Sequence, residues 1–545
     1  MRSSIFKTIY LLILLCTANV AQAQTEGGGS SVLITTLVVI AVLIFFYLII
    51  QVADNLISIE ARQAGINGKD TNFSVMPKMR ELFAPKLPSY TGDQPVTILR
   101  KGHDILLEGK AEPKIHTDVS VSTFAIQPPN FVGISPIPKL MVDVGDEVKA
   151  GDPILFDKKR PEIKHVAPVS GEVVAVNRGE KRSIASVVIL ADKEMKYREL
   201  PGFDLEKGSR EELVNYLLDS GAWPMIVQRP FDILPDPTDV PRDIFISTFD
   251  SAPLAPDLNL VVEGKGAAFQ KGLDVLNKLT EGSIHLGLNA RGETPPSTVF
   301  TEAEGVSLHW FHGKHPAGNV GVQIHHIKPI GNNDKVWVLD VQSVISIGAL
   351  FLHNHYDASR VVALTGAELK EPKYVQTYRG AHMGDLVKGN LKSDHVRLIS
   401  GDVLSGATKT EEAFLDFGDD QVTVITEGDY YEMFGWLVPS KLRPTVSRTY
   451  PNFLFPKLKF RGDTNTHGEK RAFVVTGQYE KVLPMDILPQ HLMKAILIND
   501  FERMEGLGIY ELSEEDIALC EFACTSKQPL QKILREGLDV VREQG

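Results

Sequence analysis

Two cysteines near the carboxyl terminus are the first residues whose type and spacing could carry redox chemistry. The chain has three cysteines, and Cys16 lies in an apolar run at the amino terminus. Cys520 and Cys524 stand four residues apart, which is one helical turn. A four-iron cluster takes four thiolates, so two are not enough. The sequence therefore favours free thiols over a cluster or a disulfide.

Histidines form a second group that could bind a metal ion. The group comprises His309, His312, His315, His325 and His326. The segment HWFHGKHPAG is turn-like, and two successive histidines in a strand would point to opposite faces. A zinc site takes four protein ligands, or three and a water. We therefore expect surface or loop histidines and no metal ligands.

A glycine-rich turn is the only candidate for a nucleotide site. Gly264 and Gly266 follow an expected strand and precede an expected helix, but Phe269 stands where the dinucleotide motif has its third glycine. The strand that begins at Ile284 ends at Asn289 and not at an acid that could hold a ribose hydroxyl. The pattern favours an ordinary βα turn. No nucleophile and base at a recognisable spacing stand out, so we predict no catalytic, cofactor-binding or metal-binding residue.

One domain has the pattern of a carrier without its attachment residue. Short β-branched strands and Gly-Asp turns run from Val142 to Phe156, and a return turn follows from Ala167 to Gly179. This is typical of a biotinyl/lipoyl-like barrel-sandwich hybrid. Arg160 stands where the acceptor lysine belongs, and no methionine precedes it. The sequence therefore predicts the fold of a carrier domain without the lysine that would attach its biotinyl or lipoyl group.

The elements that would position these residues form an α/β multidomain chain. Ser209 begins a capping box, and Gly221 ends the helix that follows it. A second capping box begins at Ser513. The expected strands are Ile244–Thr248, Leu258–Val262 and Ile284–Leu288, with a helix over Ala267–Leu279. The predicted domains are a barrel-sandwich hybrid domain (95–198), a Rossmann-like parallel sheet domain (199–350), a β-grasp, SLBB-like domain (351–427) and a C-terminal helical domain (428–545).

The amino terminus predicts membrane targeting. Residues 1–23 have the basic start, apolar run and A-x-A end of a signal peptide. Residues 32–52 are apolar over the length of a transmembrane helix, and residues 54–94 form a polar, proline-rich tether. Basic residues follow the span, which predicts a single-pass inner-membrane protein with its globular part in the cytoplasm. Acidic residues exceed basic ones by 69 to 57, which excludes nucleic acid as a partner.

Motifs along the rest of the chain resemble the A subunit of the sodium-translocating NADH:quinone oxidoreductase. The resemblance covers 98–545. Its motifs are ILRKGHDILLEGK, VGDEVKAGDPILFDKKRP, APVSGEVVAVNRGEKR, LDVLNKLTEG, HPAGNVG, RLISGDVLSG, ELSEEDIALCEFAC and LREGLDVVREQG. The chain departs from the family in its first 94 residues, where the usual member has no span.

The resemblance implies a component without cofactors in a respiratory translocase. That complex oxidises NADH, reduces ubiquinone or menaquinone and exports Na⁺. Its other subunits, among them the membrane-embedded B subunit, would hold FAD, FMN, riboflavin and iron–sulfur. Relatives in fold carry a glycine-rich flavin loop and an acidic element. Here Gly221–Pro230 is bulky and Asp250–Pro253 has lost most of its acids.

The resemblance also implies contact with quinone on the cytoplasmic side. The candidate surface is the apolar loop Pro128–Pro138, with Phe131 as a stacking group and Val132 beside it. A simple turn loop is the alternative for this segment. For the whole chain the alternatives are an Rnf-type electron-transfer protein and a membrane-anchored scaffold that keeps only the fold.

Overall fold

The computed structural model describes residues 36–49, 52, 85–135, 137–435, 442–447 and 451–544. The predicted signal peptide (1–23) and most of the tether (54–84) lie outside these residues. The chain divides into two compact units, Met1–Lys86 and Leu87–Gly545.

The first unit does not support the membrane span predicted for residues 32–52. Its described helix covers residues 36–49, and its apolar side chains, such as Leu37 and Phe45, are exposed. Within the described ranges, no helix has both the length and the apolar composition needed to cross a bilayer. The predicted single-pass inner-membrane location is therefore wrong.

Strands of the second unit form four sheets. In chain order the described strands are β1 (Val96–Ile98), β2 (Glu112–His116), β3 (Thr123–Ile126), β4 (Lys139–Leu140), β5 (Glu147–Val148), β6 (Pro153–Phe156), β7 (Lys164–Val166), β8 (Gly171–Arg178), β9 (Ile184–Ala191), β10 (Val227–Arg229), β11 (Ile244–Ser247), β12 (Ile284–Asn289), β13 (Ser307–His312), β14 (Val336–Val338), β15 (Ser359–Thr365), β16 (Lys373–Tyr378), β17 (Val396–Ser400), β18 (Ala407–Lys409) and β19 (Gln421–Thr426).

Helices of the second unit cover its parallel sheet and build its carboxyl-terminal end. In chain order they are α1 (Arg210–Ser220), α2 (Leu258–Val262), α3 (Gly266–Asn277), α4 (Thr298–Thr301), α5 (Val320–Ile327), α6 (Val341–His353), α7 (Met383–Val387), α8 (Tyr479–Val482), α9 (Pro489–Leu497), α10 (Phe501–Gly506), α11 (Glu514–Ala523) and α12 (Leu530–Gln544).

The barrel-sandwich fold predicted from the carrier pattern is confirmed. Its two small sheets have the orders β3-β9-β8-β5 and β4-β6-β7, and they enclose apolar side chains such as Ile154 and Val173. Gly171 lies in the predicted return turn with φ +153°, where an added Cβ would sit 1.9 Å from the Leu190 carbonyl oxygen. Only glycine fits that approach.

Arg160 lies in the turn between β6 and β7 and is held there. Its Nε is 3.3 Å from Asp157 Oδ2, and its Nη1 donates to the Leu234 carbonyl at 3.0 Å. Leu234 belongs to the following domain, so the residue at the attachment position joins two domains.

The Rossmann-like domain has a six-stranded sheet of order β1-β13-β12-β11-β14-β10, parallel except for β10. The capping box at Ser209 and the left-handed Gly221 after α1 are both present. The predicted strand Leu258–Val262 is wrong, because these residues form α2. Asp257 caps this helix by accepting from the Asn259 N–H, and the buried Leu258, Val261 and Val262 recur at helical spacing.

The β-grasp domain has the strand order β18-β17-β19-β15-β16-β2, with α7 between β16 and β17. Two of the first strands of the chain complete sheets formed much later. β1 pairs with β13 in the Rossmann-like sheet, and β2 pairs with β16 in the β-grasp sheet. The stretch 95–198 therefore contributes strands to all three domains.

The helical prediction for residues 428–545 holds only in its second part. The described residues from 428 to 478 contain one 3-10 turn, Pro451–Leu454, and otherwise irregular backbone. Helices α8 to α12 follow and share a core that includes Tyr479, Leu492 and Leu534. The capping box predicted at Ser513 is present at the start of α11.

Candidate functional site

A cleft of about 420 Å³ opens where the carboxyl end of β11 meets the other domains. β11 lies between β12 and β14, so the chain reverses its direction of progress through the sheet at this point. Ligands of open α/β sheets bind at such a switch point. Asp250 follows β11, the β-grasp loops supply the opposite wall, and Glu515 at the start of α11 closes one side.

Carboxylates dominate the walls of this acid-lined cleft. Among the described residues that line it, none is basic. Lys409 lies at its margin and pairs with Asp416 at 2.7 Å. The six acidic lining residues are Asp250, Asp402, Asp416, Asp419, Asp420 and Glu515. The cleft is therefore a strongly negative cavity.

The crowded carboxylates hold protons more tightly than isolated ones. Loss of hydration in the cleft raises the pKa of Asp250 to about 7, and the charges of Asp402 and Asp420 add to the rise. Burial likewise raises the pKa of Asp419 to about 7, although the Ser400 hydroxyl donates to it. Near neutral pH, part of the negative charge is thus neutralised by protons.

Arg229 anchors Glu515 from behind the cleft. The guanidinium is 5% exposed and pairs with Asp232 at 3.0 Å, Glu515 at 2.7 Å and Asp516 at 2.9 Å. Loss of hydration raises the pKa of Glu515 to about 8, against the attraction of Arg229. One cation therefore holds three carboxylates from the turn after β10 and from α11 in place.

A serine and a histidine that are distant in sequence meet beside the cleft. Ser251 Oγ lies 3.1 Å from His315 Nδ1 and accepts the Gly318 N–H at 2.8 Å. Burial lowers the pKa of His315, which favours the neutral form of the ring. Its Nε2 has no hydrogen-bond partner among the described residues, so no carboxylate orients the ring as in a catalytic triad. Sequence spacing could not reveal this pair.

The cleft does not fit the flavin that relatives in fold would place near it. A flavin loop needs glycines that let backbone N–H groups approach phosphate. Here Trp223 fills that segment, is fully buried, donates to the Pro235 carbonyl at 3.1 Å and packs edge-on against Trp337. The carboxylates would also repel a phosphate. We therefore derive no step through a flavin or a nicotinamide.

Four of the five histidines lie on regular elements, and only His315 lies in a turn, as expected for its segment. His309 and His312 belong to β13, and His325 and His326 belong to α5 and not to a strand. His309 Nε2 is 3.0 Å from His285 Nδ1, His312 Nδ1 is 2.8 Å from the Ala290 carbonyl, and His325 Nδ1 is 2.7 Å from Glu511 Oε2. Each of these rings is thus engaged in the fold.

Cys520 and Cys524 lie on α11 and at its end, as the spacing predicted, and both are buried free thiols. The Tyr479 hydroxyl donates to Cys524 Sγ at 2.9 Å. Burial raises the pKa of the Cys520 thiol well above its usual range. Both thiols therefore belong to the core.

Neither predicted quinone-facing residue lines the cleft, and Phe131 packs against a residue that does. Phe131 is buried, with its ring 4.3 Å from that of His165 and 4.9 Å from that of Phe417. Phe417 itself lines the cleft. Val132 is partly exposed, and its carbonyl accepts the Leu234 N–H at 3.2 Å. Quinone contact at Phe131 and Val132 stays a prediction.

Three domain profiles of a single family match the chain. They are the NqrA N-terminal barrel-sandwich hybrid domain (97–192), the NqrA second alpha/beta domain (208–356) and the NQRA C-terminal domain (361–411). The A subunit of the Na(+)-translocating NADH-quinone reductase from Yersinia pestis bv. Antiqua (strain Angola) is 37% identical over 450 residues, which is 82% of this chain and 99% of that protein. The A subunit from Alcanivorax borkumensis is 38% identical over 451 residues, with the same shares.

The chain belongs to this NqrA family. The family member from Saccharophagus degradans agrees, with 37% identity over 450 residues. A solved NAD⁺-reducing [NiFe]-hydrogenase overlaps 56% of each chain with 12% identity and a TM-score of 0.30, and this likeness carries no argument. The motifs quoted from the sequence thus indicated the family correctly.

Proposed function

We propose that this chain is the A subunit of a reductase complex that oxidises NADH, reduces quinone and exports Na⁺. Identity over nearly the full length of the curated relatives carries the proposal. The alternatives, an Rnf-type protein or a scaffold of another complex, find no such support.

The chain's part in the complex is docking and quinone contact, and the redox cofactors belong to its partners. The segment that would approach a flavin phosphate is filled by Trp223, and the cleft at the end of β11 is lined by carboxylates. Four thiolates for a cluster are missing, since the sequence offers only Cys520 and Cys524 in this region. We further propose the membrane-embedded B subunit as its main neighbour.

Genetic complementation tests the proposal. Deleting the gene in its own host should abolish Na⁺-stimulated quinone reduction by NADH, and the full chain should restore it. Purified chain should show no flavin absorbance and no stoichiometric iron. Unchanged Na⁺-stimulated activity in the deletion strain, or flavin and several irons in the purified chain, would contradict the proposal.

A further inference from the structure

In the described part of the segment 428–468, which we name the arm, the acidic side chains are paired and large apolar side chains are exposed. Its described residues are 428–435, 442–447 and 451–468. It leaves the β-grasp domain after β19 and returns beside it, where Thr426 bridges to Asp463. Its backbone is irregular, so its shape depends on side-chain bonds.

Four charged or titratable side chains of the arm are largely covered and bind within it: Glu432, Arg443, Asp463 and His467. His467 Nδ1 is 3.0 Å from Glu432 Oε2, and His467 Nε2 is 3.3 Å from Asp463 Oδ1. Arg443 Nη1 donates to the same Glu432 at 2.8 Å, and the Tyr430 hydroxyl donates to Asp463 at 2.7 Å. These side chains are largely withdrawn from water, and the network joins the described stretches of the arm to one another.

The large apolar side chains of the arm face outward. Tyr431 is 93% exposed and Met433 is 76% exposed. Four others are each more than half exposed: Phe434, Leu442, Leu454 and Phe455. A protein surface normally presents its charges to water and covers its large apolar groups.

Hydrogen bonds through Arg443 bring these exposed groups together from three stretches of the arm. Arg443 also donates to the Gly435 carbonyl, next to Phe434, and it follows Leu442 directly. The Asn452 amide donates to the Arg443 carbonyl at 2.6 Å, and the Asn452 carbonyl accepts the Phe455 N–H at 2.9 Å. Phe434, Leu442 and Phe455 therefore belong to stretches that are bonded to one another through Arg443, and we refer to the exposed apolar residues of the arm as its patch.

Two positive side chains follow the patch residue Phe455 closely in the chain. Lys457 and Lys459 are exposed and form no ion pair with any residue that the structure describes. The acids of the arm are all bonded to basic side chains: Glu432 and Asp463 inside the network and Asp429 to His395 at 2.9 Å. A second copy of the chain would bring lysines against lysines, which disfavours self-association.

We propose that the outer face of the arm is a docking surface for another component of the reductase, whose matching surface is apolar at its centre and acidic at its rim. This rests on the proposed function. Apolar anchors held rigid by a buried polar network lose little conformational freedom on binding. Aromatic and methionine side chains are the types enriched at interface centres.

The test compares two triple variants of the full chain in cells that make the whole complex. The first is Tyr431→Ser/Phe434→Ser/Phe455→Ser in the arm. The control, Leu488→Ser/Leu497→Ser/Ile498→Ser, removes three exposed apolar side chains from the helical domain. We expect the arm variant to recover at least 10-fold less of the NADH-oxidising partner on affinity purification, while the control recovers as much as wild type.

A charge variant tests the rim independently. Lys457→Glu/Lys459→Glu should also reduce recovery, and the loss should deepen as salt is lowered, because exposed charges are screened by salt. Thermal midpoints equal to wild type would show that these variants fold.

Three outcomes would overturn the proposal. If wild type purifies with its partners and both arm variants do so equally well, the docking surface is wrong and the proposed function stands. If wild type itself brings down none of them, the proposed function fails as well. If the arm variant loses binding to vesicles of phosphatidylglycerol and phosphatidylethanolamine but not to its protein partners, the occupant is lipid.

Discussion

The acid-lined cleft and the arm place their carboxylates differently. In the cleft, carboxylates face a cavity, and two of them have a pKa of about 7. In the arm, Glu432 and Asp463 are covered and paired, and large apolar side chains are exposed. The cleft occupies the position where an α/β sheet usually binds its ligand, yet its described lining residues include six acids and no basic side chain that would attract a phosphate. The arm occupies no special position in a fold, yet it presents anchors of the kind found at interface centres. The position of the cleft thus follows from the fold, whereas the exposed apolar face of the arm is explained by the contact proposed for it.

The largest effect is expected from Arg229, the cation that holds the cleft wall. Arg229→Met leaves Asp232, Glu515 and Asp516 close together without their shared partner. Breaking a buried pair in this way costs about 3–5 kcal/mol. Thermal unfolding should show a clear drop in midpoint. Arg229→Lys, which keeps the charge, should lose less, and an unchanged midpoint in the methionine variant would show that the cleft wall is not held by this cation.

A smaller loss is expected from Arg160, where the carrier hairpin meets the Rossmann-like domain. Arg160→Ala removes its bonds to Asp157 and to the Leu234 carbonyl. Hydrogen bonds of charged groups contribute about 1.5–3 kcal/mol. Denaturant unfolding should report a loss in this range, and neighbouring Lys159→Ala, whose side chain is exposed, serves as control.

The helices, turns and strands that local patterns specify could be predicted, and contacts between distant segments could not. The capping box at Ser209 and the left-handed Gly221 depend on residues within one turn, and both are present. The strand predicted for Leu258–Val262 is a helix in the structure, because a short apolar run fits a strand and a buried helix equally well. The cleft is assembled from four domains, so no single stretch of sequence contains it.

Neutralising one cleft carboxylate is expected to stabilise the chain in a pH-dependent way. The pKa of Asp419 is about 7 in the fold and lies near 4 when unfolded, so its contribution to stability is present below about pH 4 and is lost as pH rises through 7. Asp419→Asn should therefore be more stable than wild type by about 1–2 kcal/mol at about pH 8, allowing for its partial exposure, and equally stable at about pH 4. A destabilised variant at pH 8 would contradict the cost of burying the ionised Asp419 carboxylate in the cleft.

The smallest effect on stability is expected from the exposed apolar residues of the arm. Replacing Tyr431, Phe434 and Phe455 by serine should change the unfolding free energy of the isolated chain by no more than about 0.5 kcal/mol each, because these side chains bury little in the fold. A large loss of stability would mean that the patch packs within the chain and is not free to bind a partner.

The early strands that complete later sheets constrain the order in which the chain can fold during synthesis. β1 leaves the ribosome first, but its partner β13 follows more than 200 residues later, and β16 completes the pairing of β2 later still. At about 5–20 residues per second, β1 waits roughly 10–40 seconds with an unpaired edge. Such edges invite wrong pairing. Slow synthesis or chaperone binding near Val96–His116 should therefore govern the yield of folded protein more than the stability of any one domain.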